Sequence, residues 1–196
     1  PPRSTLFPYT TLFRSGITFI GPTVGNIESM GDKLSAKALM KKAKVPTVPG
    51  SDGGIETIED CRRIANEIGF PVIIKASAGG GGKGMRVVRQ DSELESAFRA
   101  CRSEGQNYFA DPTVYMERFV NDPKHIEIQV FGDKHGNVCH LFDRECSVQR
   151  RHQKIIEEAP SPSVPDSVRQ KMGDAAVRAA KQIDYVGAGT IEFIFD

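Results

Sequence analysis

Several things are missing from this sequence, and each absence closes off a class of protein. Net charge is nearly nil: 26 Lys and Arg stand against 25 Asp and Glu in 196 residues. No global basic field therefore draws the chain to nucleic acid or to an anionic membrane. No apolar run approaches the roughly 20 residues that a membrane span needs. The four cysteines (Cys61, Cys101, Cys139, Cys146) form no CxxC pair, and in a chain of this size they read as reduced thiols in a cytosol-like compartment. No internal repeat is visible. What remains is ordinary globular composition, 39% hydrophobic and 26% charged, with enough length for one or two domains around a real core.

The two ends stand apart from the rest. Residues 1–15, "PPRSTLFPYTTLFRS", repeat "TLF" and fit neither a helical nor a strand period. They lack the continuous apolar stretch and small-residue cleavage site of a signal peptide. The stretch resembles translated adapter sequence and is set aside from the fold reading. "GTIEFIFD" finishes on a strong strand pattern with no turn after it, so the chain reads as a fragment cut at both ends.

Between the ends, the pattern predicts mixed elements. "GITFIGP" (16–22) reads as a short buried strand closed by a Gly-Pro turn. Ala36, Met40 and Ala43 share a face of a helix over 32–44, and Ile58, Cys61, Ile64 and Ile68 do so over 57–68. The Pro- and Gly-rich stretch 45–54 between them reads as a loop and linker. "FPVIIKAS" and "MRVVRQ" read as strands flanking a glycine run, and 91–101 as a helix N-capped by Asp91 with an acidic first turn. "TVYMERFV", "HIEIQVFGD" and "NVCHLFD" are strand-like, the last two joined by the hairpin-type turn "GDKHGN". A helix over 166–183 and the final strand complete an α+β chain with antiparallel or mixed sheets.

The glycine run "KASAGGGGKGM" (75–85) is the first stretch that points to chemistry. A Walker A loop needs G-x-x-x-x-G-K-[ST] before a helix. With Gly82-Lys83 as the G-K pair, the first glycine would be Ser77 and the last position Gly84, so that motif fails twice. A Rossmann turn also needs a following helix, whereas "MRVVRQ" is short and β-branched. Strand, glycine loop, strand is the hairpin lid that kinases place over ATP phosphates. A flexible spacer is the alternative, but spacers are not flanked by sequences such as "PVIIK" and "MRVV". Lys75 ends the strand before the loop, where its ammonium can meet phosphate as a point charge or simply snorkel to the surface.

Two further segments carry titratable side chains. In "HIEIQV", alternation puts His125, Glu127 and Gln129 on one face, and a solvated face accounts for that equally well. "DRECSVQRRHQK" (143–154) gathers Arg144, Arg150, Arg151, His152 and Lys154. If extended, Arg150, His152 and Lys154 share a face that suits an anionic co-substrate, and again a solvated charged face fits as well. The absence of Phe, Tyr or Trp from 144–154 argues against stacked nucleic-acid bases. Adjacent Cys139 and His140 point to opposite faces of a strand, which argues against zinc. Glu192, inside "TIEFIF", is either exposed or paired with a cation, because burying it alone would cost several kcal/mol. In an ATP site Mg²⁺ is the natural partner.

Taken in order, "MGDKLSAKALMKKAKVPTVPGSDG", "PVIIKASAGGGGKGMRVV", "HIEIQVFGDKHGN", "DRECSVQRRHQKIIEEAPSP" and "GAGTIEF" resemble the biotin carboxylase component of biotin-dependent carboxylases. The resemblance runs without a gap from Gly16 to Asp196, and the "RRHQK" block is its most specific part. It implies the ATP-grasp fold, with residues 16–47 ending an N-terminal domain and linker. Residues 48–119 would form the lid subdomain, and 120–196 the start of the C-terminal subdomain. It implies carboxylation of carrier-bound biotin from ATP and bicarbonate, with Mg²⁺ (or Mn²⁺ in its place).

By the same resemblance, Lys33, Lys75, Gly81 and Gly82 would contact the nucleotide, and Glu117, Arg118, Phe119 and Val120 would form the adenine-side hinge. His125, Gln149 and His152 would line the ribose and phosphates. Lys154 would hold bicarbonate or carboxyphosphate, and Glu192 would be a Mg²⁺ ligand. A biotin carboxyl carrier, a carboxyltransferase and a second copy of the intact parent are the implied partners. The implied compartment is cytoplasmic, or mitochondrial in a eukaryote.

Ala78 departs from the pattern where many relatives have glycine. The family's second metal-binding glutamate, N-x-R element, bicarbonate base and biotin-side arginine all fall beyond Asp196. The chain alone is therefore expected to be inactive. "EEAPSP" leans toward an acyl-CoA carboxylase, although pyruvate carboxylase keeps a similar block. Another ATP-grasp ligase, such as a carbamoyl-phosphate synthetase half, and a non-catalytic nucleotide-binding module are the competing readings.

Overall fold

A computed structural model describes residues 16, 19–78, 84–150 and 153–196. The first regular element is a helix that the residue pattern does not predict, α1 (Val24–Gly31). Its start is fixed by a capping box: the Thr23 hydroxyl accepts from the Asn26 backbone N–H while the Asn26 side chain accepts from the Thr23 N–H. Asp32 then caps α2 (Lys33–Lys42), accepting from the Ser35 N–H at 2.9 Å. The strand expected over 16–22 is not formed in its described part. Phe19 and Ile20 are exposed and belong to no strand.

The first sheet has the order β2-β1-β3, antiparallel throughout, from β1 (Val72–Ala76), β2 (Met85–Val88) and β3 (Val114–Arg118). Strand alternation turns Val72, Ile74, Val88, Val114 and Met116 toward two helices, α3 (Ile58–Ile68) and α4 (Asp91–Phe109), whose Cys61, Ala65, Leu94, Phe98 and Cys101 complete a closed core. Burial pushes the Cys61 thiol up to about 12 and Cys101 to about 11, so both act as small apolar fillers. Helix α4 runs eight residues past its expected end at Cys101. Gly105 permits this, because a Cβ there would collide with the Asp111 backbone carbonyl. Asp91 is the first helical residue and not the N-cap; Gln90 holds that position, and Glu93 reaches back to the Arg89 N–H. The loop over 45–54 is pinned along β3, with Ser51 N–H to the Met116 carbonyl at 2.9 Å and Arg118 N–H to the Pro49 carbonyl at 2.8 Å.

The second sheet has the order β5-β4-β8, from β4 (Lys124–Gly132), β5 (Val138–Glu145) and β8 (Gly187–Phe195), again antiparallel. Ile126, Ile128 and Val130 face helix α5 (Asp166–Gln182) and pack on Met172, Ala176 and Ala180. Between β5 and α5 lies a small hairpin, β6 (Gln149–Arg150) and β7 (Gln153–Lys154), in which Gln149 pairs with Lys154. Arg150 and Lys154 therefore stand on opposite strands of an antiparallel pair, and the expected extended face that they would share is not formed. Among the described residues no helix is long and apolar enough to cross a membrane.

A buried polar clamp ties the segment after this hairpin to the sheet. Asp143, its side chain fully buried, accepts from Arg169 Nε at 2.7 Å and from the Ser161 N–H at 2.8 Å. Glu145 accepts from the hydroxyls of Ser161 (2.7 Å) and Ser147 (2.8 Å). Burial drives the Glu145 pKa upward, but hydrogen bonds from Ser161, Ser147 and Ser163 outweigh it, and the carboxyl lies below its usual 4.5. A depressed carboxyl pKa stabilises the fold above the unfolded value, and that stability is lost as pH falls through the folded value. Ser161→Ala should cost about 1–3 kcal/mol at neutral pH. In denaturant titrations, its deficit against the unaltered chain should shrink once the pH drops below 4.5; a deficit constant with pH would assign the loss to packing alone.

Candidate functional site

A cleft of about 830 Å³ opens between the two sheets, lined by Lys37, Glu117 and Val120 on one wall and Glu127, Lys154 and Glu192 on the other. The first wall is the face of the β2-β1-β3 sheet turned away from its helices. Lys75 and Glu117 sit there because alternation opposes them to the buried Ile74 and Met116. Lys75 Nζ donates to Glu117 Oε2 at 2.7 Å and lies 5.9 Å from the centre of the Tyr115 ring. The other Glu117 oxygen accepts from Lys37 Nζ, on α2, at 3.4 Å. Lys33, one turn earlier on α2, has its pKa lowered by burial first and by the Lys75 charge second, with Glu117 opposing both. One carboxylate thus pairs with two ammonium groups, Lys37 and Lys75, and lies within electrostatic reach of a third, Lys33.

The second wall carries a row of charge across three strands. Glu127 on β4 lies directly opposite Glu192 on β8 and Arg144 on β5. Arg144 Nη2 donates to Glu127 Oε2 at 2.9 Å, and Arg144 Nη1 to Gln129 Oε1 at 3.1 Å. Lys154 Nζ donates to Glu192 Oε1 at 2.7 Å and also forms an ion pair with Glu127 Oε1. That buried Glu127 oxygen has no hydrogen-bond partner among the described residues and is matched by the charge of the lysine. The row offers two carboxylates, and no group of three or more His, Cys, Asp or Glu able to hold a metal occurs among the described residues; Mg²⁺ takes one or two carboxylates beside substrate phosphates.

Of the residues singled out in the sequence, Glu117, Val120, Lys154 and Glu192 line the cleft, and Lys75 joins it through Glu117. Gln149 pairs with Lys154 on the small hairpin and donates to the Cys146 carbonyl at 2.9 Å. His125 is held by its backbone, donating to the Ser147 hydroxyl and accepting from the Cys146 N–H. The side chains of Arg118 and Phe119 do not line the cleft: Arg118 is exposed, and the Phe119 ring lies 5.8 Å from the Arg89 guanidinium. Their N–H groups bond to the Pro49 and Pro71 carbonyls, which fixes the backbone of that stretch.

Gly81, Gly82 and His152 lie outside the described residues. At the base of their loop, Gly84 has φ +69° and its carbonyl accepts from the Ala76 N–H at 2.8 Å, so the two strands do close as a hairpin. The structure adds two residues that the motifs alone do not assign, Glu127 and Lys37. Glu127 had a signal, its place in the polar alternation of "HIEIQV". Lys37 had none.

Two antiparallel sheets facing each other over a charged cleft, one bearing a glycine hairpin, define an ATP-grasp domain. The chain belongs to the family described as carbamoyl-phosphate synthase L chain, ATP binding domain, which matches residues 32–196. Within that family it is a homologue of biotin carboxylases. It is 52% identical over 180 residues to biotin carboxylase 1 of Bacillus subtilis, covering 92% of this chain and 40% of that protein. Pyruvate carboxylase of Staphylococcus aureus is 51% identical over 179 residues, covering 91% of this chain and 16% of that protein. The biotin carboxylase of Campylobacter jejuni, solved with β,γ-ATP, superposes with a TM-score of 0.86 at 48% identity, covering 95% of this chain and 42% of that one. The biotin carboxylase domain of Hydrogenobacter thermophilus 2-oxoglutarate carboxylase, solved with MgADP and bicarbonate, gives 0.83 at 50%, covering 94% and 41%. The chain thus spans about two fifths of the length of the biotin carboxylases it matches.

The burial of the second wall predicts an asymmetry between its two carboxylates. Glu127→Gln removes a carboxylate that is 6% exposed and should cost about 1–3 kcal/mol in thermal or denaturant unfolding. Glu192→Gln removes one that is 63% exposed and should stay within about 0.5 kcal/mol, although both carboxylates touch the same lysine.

Proposed function

We propose that this chain is the nucleotide-binding part of a biotin carboxylase. In this reading, ATP and bicarbonate react to ADP and carboxyphosphate, which breaks to carbon dioxide and phosphate; the ureido nitrogen of carrier-bound biotin passes its proton to that phosphate and attacks the carbon dioxide. The observation that carries the reading is Lys154, held between Glu127 and Glu192 in the same cleft as the Glu117–lysine cluster. A bicarbonate oxygen attacks the γ-phosphorus, the bond to the ADP oxygen breaks, and negative charge spreads over the transferring group. Lys75 and Lys33 supply positive charge on the phosphate side and Lys154 on the bicarbonate side, where charge develops on the transferring group.

Glu192 would hold Mg²⁺, which neutralises phosphate charge when bound. The fixed backbone of 117–120 serves as the adenine-side hinge, and His125, Gln149 and His152 as the ribose and phosphate contacts. Gly81 and Gly82 close over the phosphates from the lid subdomain (48–119). A biotin carrier and a carboxyltransferase complete the reaction in a cytoplasmic or organellar complex, with the intact protein working as a homodimer. Relatives named for pyruvate and for 2-oxoglutarate match the same segment at similar identity, so the carboxyl acceptor is selected elsewhere.

Residues 19–196, grafted in place of the matching segment of the Campylobacter enzyme, should support ATP turnover that depends on both bicarbonate and biotin. Lys154→Ala in that graft should lower kcat/KM by about 100- to 1000-fold. Turnover independent of biotin would move the chain to another ATP-grasp ligase, and an unaffected Lys154→Ala graft would leave it a binding module.

A further inference from the structure

The ATP-site reading makes Lys75 a phosphate ligand, yet in the structure its ammonium is committed to Glu117 Oε2 at 2.7 Å. Reaching a phosphate means leaving that carboxylate, whose side chain is only 17% exposed. A shielded carboxylate stripped of its cation is costly, so the exchange is unfavourable unless a second cation stays behind.

Lys37 is placed to be that cation. It comes from α2, a different element from the strand that carries Lys75, and meets the other oxygen, Glu117 Oε1, at 3.4 Å. At 10% exposure it is the most buried member of the trio, against 23% for Lys75, so it is the one least free to follow a ligand. The opposing loop makes room for it: an ideal Cβ on Gly50 would sit 2.7 Å from Lys37 Nζ, and Gly50 is bridged to Glu117 itself. The two lysines therefore occupy different oxygens of one carboxylate and need not move together.

We propose that Lys37 is a positioning residue for phosphate binding: it keeps Glu117 paired while Lys75 exchanges that carboxylate for a nucleotide phosphate. The inference rests on the reading of the cleft as an ATP site. It acts on the phosphate part of the ligand and leaves the nucleoside part untouched. Lys33 also lies within electrostatic reach of Lys75 and Glu117, and pairing the Lys37 substitution with one at Glu117 separates its contribution.

The test is binding of ATP with Mg²⁺ to the full chain by calorimetry, and of adenosine by competition, in the unaltered chain, Lys37→Met, Lys37→Arg, Glu117→Gln and the Lys37→Met/Glu117→Gln double variant. Lys37→Met should weaken ATP about 10-fold, equivalent to about 1.4 kcal/mol, and leave adenosine within about twofold. Lys37→Arg should restore ATP binding. In the Glu117→Gln background, Lys37→Met should have no further effect, since no carboxylate charge is left to hold. Equal losses for ATP and adenosine, a full loss persisting without the Glu117 carboxylate, or unchanged ATP binding by Lys37→Met would each overturn the inference. An unaltered chain that binds neither probe removes the ATP-site reading, and the inference with it.

Discussion

Two carboxylates set directly opposite each other on neighbouring strands repel, and a cation between them offsets that repulsion. Glu127 and Glu192 are in that position, and Lys154 is the cation. The requirement propagates outward. Lys154 must be delivered to the centre of the row, so it sits on a two-residue strand whose hairpin turns it back over the sheet. Beyond the hairpin, the chain is anchored by Ser161 to Asp143 and Glu145. Those two acids flank Arg144 on β5 and, by alternation, point to the opposite face from the row that Arg144 completes. One short stretch of strand thus serves the clamp and the cleft with alternate residues.

The first wall uses the same device with the signs exchanged, one carboxylate, Glu117, among several lysines. Between the walls, the cleft offers partly desolvated positive charge, where interactions with an anion are stronger than in bulk water. Neither wall could be built from a single element. Lys37 comes from a helix, Lys75 and Glu117 from antiparallel neighbours, and Lys154 from a hairpin outside both main sheets. The folding of 45–54 along β3, with Gly50 beside Glu117, brings these pieces into reach of one another.

This explains what the sequence could and could not show. Strands β1, β4 and β8 are legible because each carries an apolar residue at every second position along one face. The starts of α2 and α3 fall within one residue of the expected 32 and 57, where Asp32 and Thr57 cap them, whereas the one N-cap read from the sequence, Asp91, is the first helical residue. Helix α1 was hidden because its cap is Thr23 with Asn26 three residues on and Gly25 between them, a weak helical signal. The end of α4 was hidden because Gly105 and its polar neighbours read as a break, although Gly105 is there to let the helix meet the Asp111 backbone. Glu127 looked like a solvent-facing residue because alternation reports which side a residue faces and not what covers that side. Lys37 was invisible for a stronger reason: its partner is 80 positions away, and nothing near it in sequence distinguishes it from the other lysines of α2.

Exposure separates the charge pairs built to persist from those able to exchange. The Asp143–Arg169 pair is closed, with the acid at 0% and the arginine at 16%, and it holds only backbone and side chains of its own clamp. Lys75 and Lys154, at 23% and 33%, stay partly exposed, while the Glu117 and Glu127 carboxylates they hold are largely covered. Such an ammonium can move onto an incoming anion without being drawn fully from water. Its carboxylate cannot become solvated in return, so each exchanging lysine needs a partner that stays. Arg144 does this for Glu127, and Lys37 is placed to do it for Glu117. The presence of a second, well-anchored cation on the same carboxylate is then what distinguishes a lysine poised for a ligand from one that only closes a salt bridge.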